Sequence, residues 1–430
     1  MRAQANALLQ WTWLGAAVGV ACGISSAVFL ILLEYATQLR LRHEVIVYTL
    51  PLAGLVIGLF YERWGKPIKG GNNLVLDTIH ADTAQIPFRM APMVLLGTVL
   101  THLFGGSAGR EGTAVQMGAS LADEIAHRLR VSKETRRQLL AAGIAGGFGS
   151  VFGTPVAGML FGLEVVCIGR LEYDALVPAL IASVVGDFVT RHLGATHSIY
   201  PQAPALELSP LVFGKLAVIG VAMALATMAF VELTHRLRHV LETRVPRLPV
   251  RMFLGGAAIV VLWKLIGTSD YLGLGVPMIL RAFSDPHLPW FAFAAKLVFT
   301  AITLSSGFLG GEVTPLFFVG AALGSVLARL LGLPIELGAG VGLAAVFAAA
   351  ANTPIALSIM AVELLGAPAL PHVAIVCVIA YLLSGHRGIY PSQRILRRKH
   401  GGRFLEKPVP LREFRDAQDA ASSRDPADKP

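Results

Sequence analysis

From Leu337 to Val362 the chain carries no charged side chain, and the interval from Leu364 to Gly385 is charge-free again. Comparable stretches fall at 45–60, 91–106, 141–163, 216–231, 297–311 and 313–328. Soluble globular chains place a charge at about one residue in four; here the charged fraction is 15% and the hydrophobic fraction 54%. A helix needs roughly 20 apolar residues to cross the hydrocarbon of a bilayer. Several of these stretches are shorter, which predicts tilted, broken or re-entrant helices whose exposed backbone groups are satisfied inside protein. The expected fold class is an all-α polytopic membrane protein. The apolar stretch from Trp11 to Leu33 is too long for a signal-peptide core, so it reads as a retained membrane helix.

The two halves of the chain resemble each other. GIAGGFGSVFGTPVAGMLFGLEVV (143–166) lies without a gap on GLAAVFAAAANTPIALSIMAVELL (342–365), matching Gly143 with Gly342, Thr154-Pro155 with Thr353-Pro354, and Glu164 with Glu363. Upstream, GREGT (109–113) matches GGEVT (310–314), so Glu111 and Glu312 become quasi-equivalent. Repeated hydrophobic segments interrupted by Gly and Pro at corresponding places point to a transporter with its site at the repeat interface. A duplicated helical scaffold without a pathway is the alternative, although such a scaffold gains nothing from carboxylates in its apolar core. Glu164 and Glu363 end apolar runs, and their symmetry favours a shared structural task.

The excess of Lys and Arg gives a net charge of +9. These residues concentrate in short segments such as 62–71, 127–137, 235–251 and 394–403, where they fit cytoplasmic loops. Phosphate binding is the other reading of those runs, whereas no nucleic-acid partner is expected. Cys22, Cys167 and Cys377 stand alone in apolar surroundings, and neither disulfide spacing nor a metal cluster is visible. No cofactor is expected. An intramembrane enzyme would need a nucleophile with its base, or a metal cluster, at recognisable spacing; none is evident, so the chain is not read as an enzyme.

GGSAGRE (105–111) and SSGFLGGEVT (305–314) each deliver an uncharged, glycine-rich connection to a helix start. Helix N-termini present unpaired N–H groups and the positive end of the macrodipole, and glycine lets an anion approach them closely. Two converging N-termini would hold an anion without a lysine in the pore, at a strength that still permits release. An ionised Glu111 can occupy such an anion position, and a protonated one can leave it. The simpler reading is that Glu111 neutralises a helix end and pairs with Arg110. KGGNNLVLD (69–77) offers Asn72 and Asn73 either as a turn or as amide donors to an anion. Tyr390 is a hydroxyl donor or an interfacial anchor.

Taken together, GREGTAVQMG, GGEVTP, KGGNNLVLD, GTPVAGMLFGLEVV, NTPIALSIMAVELLG and the segment from Tyr390 resemble the CLC family of chloride channels and anion/proton antiporters over essentially the whole chain to about 400. The resemblance implies a CLC-type inverted repeat within a 1–400 transmembrane domain, with repeat one over about 30–195 and repeat two over about 211–395. Residues 401–430 are then a polar cytoplasmic tail, expected to be disordered from about 405. It also implies a homodimer with one anion pathway per subunit, in the bacterial inner membrane with cytoplasmic termini.

By that resemblance Glu111 is the gating glutamate, Asn72 or Asn73 takes the place of the central serine, and Tyr390 that of the inner tyrosine. Gly112, Val313 and Thr314 complete the anion-binding set, and Glu312 shares the proton coupling. Thr113 replaces the usual proline, Glu312 an apolar residue, and Val165 falls where chloride/proton exchangers carry an internal glutamate. These departures resemble the bacterial CLC-F fluoride/proton antiporters. The expectation is fluoride export driven by inward protons, which confers fluoride resistance; the rival is a chloride channel or chloride/proton antiporter.

Overall fold

The computed structural model describes residues 2–81, 85–204, 206–401 and 404–422. The first half runs through α1 (Arg2–Arg42), α2 (Leu50–Trp64), α3 (Asn72–Ala81), α4 (Met90–Leu103), α5 (Glu111–Arg128), α6 (Lys133–Phe152), α7 (Pro155–Glu164) and α8 (Leu176–His192). The second repeats that order with α9 (Pro210–Arg244), α10 (Leu248–Ile266), α11 (Val276–Ala282), α12 (Ala292–Ser305), α13 (Val313–Leu331), α14 (Ile335–Ala351), α15 (Pro354–Leu365) and α16 (Leu370–Leu383). Among the described residues, six helical stretches are long and apolar enough to cross a membrane, including Leu8–Arg42 and Pro210–Arg244. Large side chains on their outer faces, such as Val20, Ile24, Val28, Leu225 and Val261, remain exposed, as lipid-facing residues must.

The charge-free runs 141–163 and 337–362 are each broken once. Gly153 and Asn352 adopt left-handed conformations that stop α6 and α14, and Pro155 and Pro354 open α7 and α15 two residues later. These breaks are the interrupted helices expected from the repeated Thr-Pro pairs.

Glycine brings the paired helices into backbone contact. On the α5–α6 interface, a Cβ on Gly118 would strike the Gly143 carbonyl and one on Gly143 the Gly118 carbonyl. The second half reproduces the arrangement between α13 and α14 with Gly320 against Gly342. In a bilayer, where apolar burial drives helix association weakly, such close packing supplies the attraction.

One expectation fails. Phe404–Pro410, within the tail expected to be disordered, forms β3 and pairs antiparallel with β2 (Arg394–Arg397), which pairs in parallel with β1 (Cys167–Ile168). Leu411–Ser422 follows as α17. The cause is apolar: Leu411 and Phe414 bury against Ile168 and Ile395, with Leu405 and Val409 packed alongside. The polar composition of 405–430 conceals these spaced anchors. Residues 423–430 lie outside the described set.

Candidate functional site

The two glycine-rich connections meet. Gly109 and Gly311 exchange both backbone hydrogen bonds, Gly109 N to Gly311 O at 2.6 Å and Gly311 N to Gly109 O at 2.8 Å, as an isolated antiparallel bridge. A side chain at either position would collide with the opposite backbone. The bridge fixes the starts of α5 and α13 beside each other.

Glu111 begins α5 and is 1% exposed. Its Oε2 accepts a hydrogen bond from Thr314 N at 3.1 Å and from Thr314 Oγ1 at 2.6 Å. The carboxylate of the first repeat thus sits on the helix N-terminus of the second. The simpler sequence reading is present as well: Arg110 Nε stands 3.5 Å from Oε1, and Arg110 N donates to Oε2 at 3.2 Å. Local pairing and docking on the far repeat act together on one side chain.

Glu312 does not mirror that contact. As N-cap of α13 it turns toward α5, its Oε2 3.7 Å from where a Cβ on Gly112 would stand, and this oxygen is buried with no hydrogen-bond partner. Asn72, the first residue of α3, meets the same glycine: its Nδ2 lies 3.1 Å from that Cβ position, and its Oδ1 is likewise buried and unpartnered. Two orphaned acceptors beside one glycine are costly unless a donor or proton arrives. Asn73 points elsewhere, its Oδ1 accepting from Ser392 N at 3.0 Å. Gly112 and Val313 lie in the first turns of α5 and α13, where helical N–H groups lack intrahelical acceptors. Tyr390 is 4% exposed and within electrostatic reach of both Glu111 and Glu312. All seven residues expected from the sequence gather around the two helix starts.

Several positioning contacts have no clear sequence signal. Ser392 Oγ donates to Asp77 Oδ2 at 2.8 Å, so the segment after Tyr390 is tied twice to α3. Gln393 donates to the carbonyls of Val165 and Ala351 and accepts from Asn352, filling the space beside Val165 with uncharged amide bonds. Thr113 is buried against Thr98, their hydroxyls 2.8 Å apart. His102, buried, bridges the carbonyls of Thr98 and Ala108 and thereby holds the loop that leads to Glu111.

The Voltage gated chloride channel family matches residues 53–385. Over 97% of this chain and 94% of its own length, a "Chloride/fluoride channel protein" of Pseudomonas syringae pv. tomato is 44% identical. The crystal structure of a CLC-type fluoride/proton antiporter superposes with a TM-score of 0.88 at 37% identity, covering 90% of this chain and 98% of that one. A slow cyanobacterial Cl−/H+ antiporter shares the fold, with a TM-score of 0.77 at 17% identity over 96% of this chain and 98% of that one.

Proposed function

The chain belongs to the voltage gated chloride channel family, and within it we propose that the protein is a fluoride/proton antiporter. It exports fluoride from a bacterial cytoplasm at the expense of the inward proton gradient and so confers fluoride resistance. It does so as a homodimer in the inner membrane, with cytoplasmic termini and two inverted repeats over about 30–195 and 211–395. The observation that carries this reading is the docking of Glu111 on both donors of Thr314.

A carboxylate held there blocks the anion position, and fluoride must displace it. Protonation removes the charge that the α13 N-terminus attracts, so Glu111 leaves with a proton as fluoride takes its donors. Fluoride is small and strongly hydrated, so its dehydration requires short, strong donors. Thr314 Oγ1, the N–H groups of Gly112 and Val313, Asn72 Nδ2 and the Tyr390 hydroxyl supply them. Asn72 rather than Asn73 serves the anion, because Asn73 is held by Ser392. Glu312 Oε2 lacks a donor; a proton placed on it would be a donor toward fluoride or toward Asn72 Oδ1. Coupling therefore rests on two carboxylates, Glu111 as the moving gate and Glu312 as the fixed partner.

The test uses purified protein in liposomes. A fluoride gradient is expected to drive protons uphill, whereas an equal chloride gradient drives little. Equal proton pumping by both anions would favour the chloride reading, and fluoride flux without proton movement would remove antiport.

A further inference from the structure

Beside Arg110 the fold forms a partly open cavity of about 450 Å³ between the C-terminal part of α1, the loop after α8 and the start of α11. That volume corresponds to roughly fifteen waters at their liquid share. A small anion inside it keeps most of its hydration shell and is attracted through the field of its walls.

The charges on those walls are arranged by depth. Arg40 is 5% exposed; its Nε donates to the His102 carbonyl at 3.1 Å, and among the described residues no carboxylate pairs with it directly, Glu44 acting on it from farther away. Arg110 is the second guanidinium of the wall, its Nε buried without a hydrogen bond and facing Glu111 at 3.5 Å. The carboxylates sit at the rim, where water screens them: Glu34 is exposed and bonded to Gln38, and Asp270 lies 3.8 Å from Arg281. The turn 271–275 that forms part of the wall is fixed from behind by the buried Lys296, whose Nζ donates to the Tyr271 and Gly273 carbonyls. A cationic floor beneath a screened rim focuses potential inward.

We propose that this cavity is an anion antechamber, in which Arg40 holds a hydrated small anion next to Arg110. Arg110 is then shared: it pairs with Glu111 while the gate is closed, and with the departing anion when the gate swings. The assignment concerns halide-sized anions in general and does not depend on fluoride being the transported one. Its place on the outer surface rests on the cytoplasmic placement of the termini.

The experiment reads the field in the cavity without using transport. Thr196 lines the cavity and is exposed, whereas Cys22, Cys167 and Cys377 are buried. In detergent-solubilised full-length protein carrying Thr196→Cys, modification rates are measured by mass spectrometry with thiosulfonate reagents of opposite charge, each normalised to a free thiol. The anionic reagent is expected to react about fivefold faster than the cationic one. Arg40→Gln is expected to bring the ratio close to one and Arg40→Lys to keep it. A ratio at or below one in the Thr196→Cys protein, or an unchanged ratio in Arg40→Gln, overturns the proposal. The first outcome is decisive even if Arg40→Gln does not fold.

Discussion

Glu164 and Glu363 cap each other's repeat. Glu164 at the end of α7 accepts the Ile355 and Ala356 amides that open α15, at 3.1 and 2.8 Å; Glu363 near the end of α15 accepts the Val156 and Ala157 amides that open α7, at 3.0 and 2.7 Å. Each carboxylate satisfies two of the N–H groups that a helix start leaves without partners, and it neutralises the positive end of the other repeat's dipole. Both oxygens of Glu164 are thereby committed to structure, immediately before Val165.

Glu164→Gln and Glu363→Gln are each expected to cost about 1–2 kcal/mol of stability, measured by thermal unfolding in detergent, with proton/fluoride coupling retained. The double variant is expected to lose about the sum, because the two caps serve different helices. Loss of coupling with unchanged stability in Glu164→Gln would give that residue a proton-carrying role instead.

Thr314→Val removes one of the two donors that hold Glu111. A hydrogen bond to a charged group contributes about 1.5–3 kcal/mol, so the gate dissociates more readily and fluoride moves with fewer protons. Thr314→Ser keeps the hydroxyl and is expected to restore the ratio. Simultaneous fluoride-electrode and proton recordings decide it; wild-type coupling in Thr314→Val would contradict the docked-gate account.

Glu312→Gln keeps the shape of the side chain and removes its titration. Coupled fluoride transport is expected to fall by about 100-fold or more, the scale of a lost proton-transferring group, while the protein elutes as wild type in size-exclusion chromatography. Unchanged turnover would leave Glu312 as a helix cap alone.

The unit formed by β1 to β3 should respond to pH. Burial pushes the Lys399 amine down to about 7 and the His386 imidazole down to about 4. Lys399 Nζ donates to Tyr381 O and Ser384 Oγ, and His386 Nε2 accepts from Lys399 N. With folded-state values below the unfolded ones, the unfolded segment binds more protons, so stability rises with pH between about 4 and 6.5 for His386 and between about 7 and 10.4 for Lys399. Hydrogen exchange across 394–410, corrected for intrinsic rates, should show protection increasing through the upper window. Lys399→Met should abolish that increase.

The sequence was most legible where repetition and chemistry coincide. Glu111, Glu312 and the two Thr-Pro breaks are visible because the same residue types return in both halves, and a carboxylate in an apolar run is expensive. The choice between Asn72 and Asn73 was not legible, because it depends on Ser392, far away in the chain, engaging one of two adjacent amides. Arg40 was equally hidden. In sequence it ends a long helix beside other basic residues, and only the fold shows that it is buried while Arg42 is exposed. The C-terminal strand and helix were missed because Leu411 and Phe414 are isolated apolar residues in a polar stretch, and their partners Ile168 and Ile395 lie elsewhere in the chain.

In the proposed mechanism the Glu111 carboxylate and the transported anion compete for the N-terminus of α13, with a proton deciding the outcome. Glu111→Gln fixes the side chain in a neutral form, and the direct measurement is proton movement driven by a fluoride gradient in liposomes containing that variant. Fluoride-driven proton pumping is expected to disappear, whatever fluoride leak remains. Proton pumping at the wild-type ratio in Glu111→Gln would contradict it.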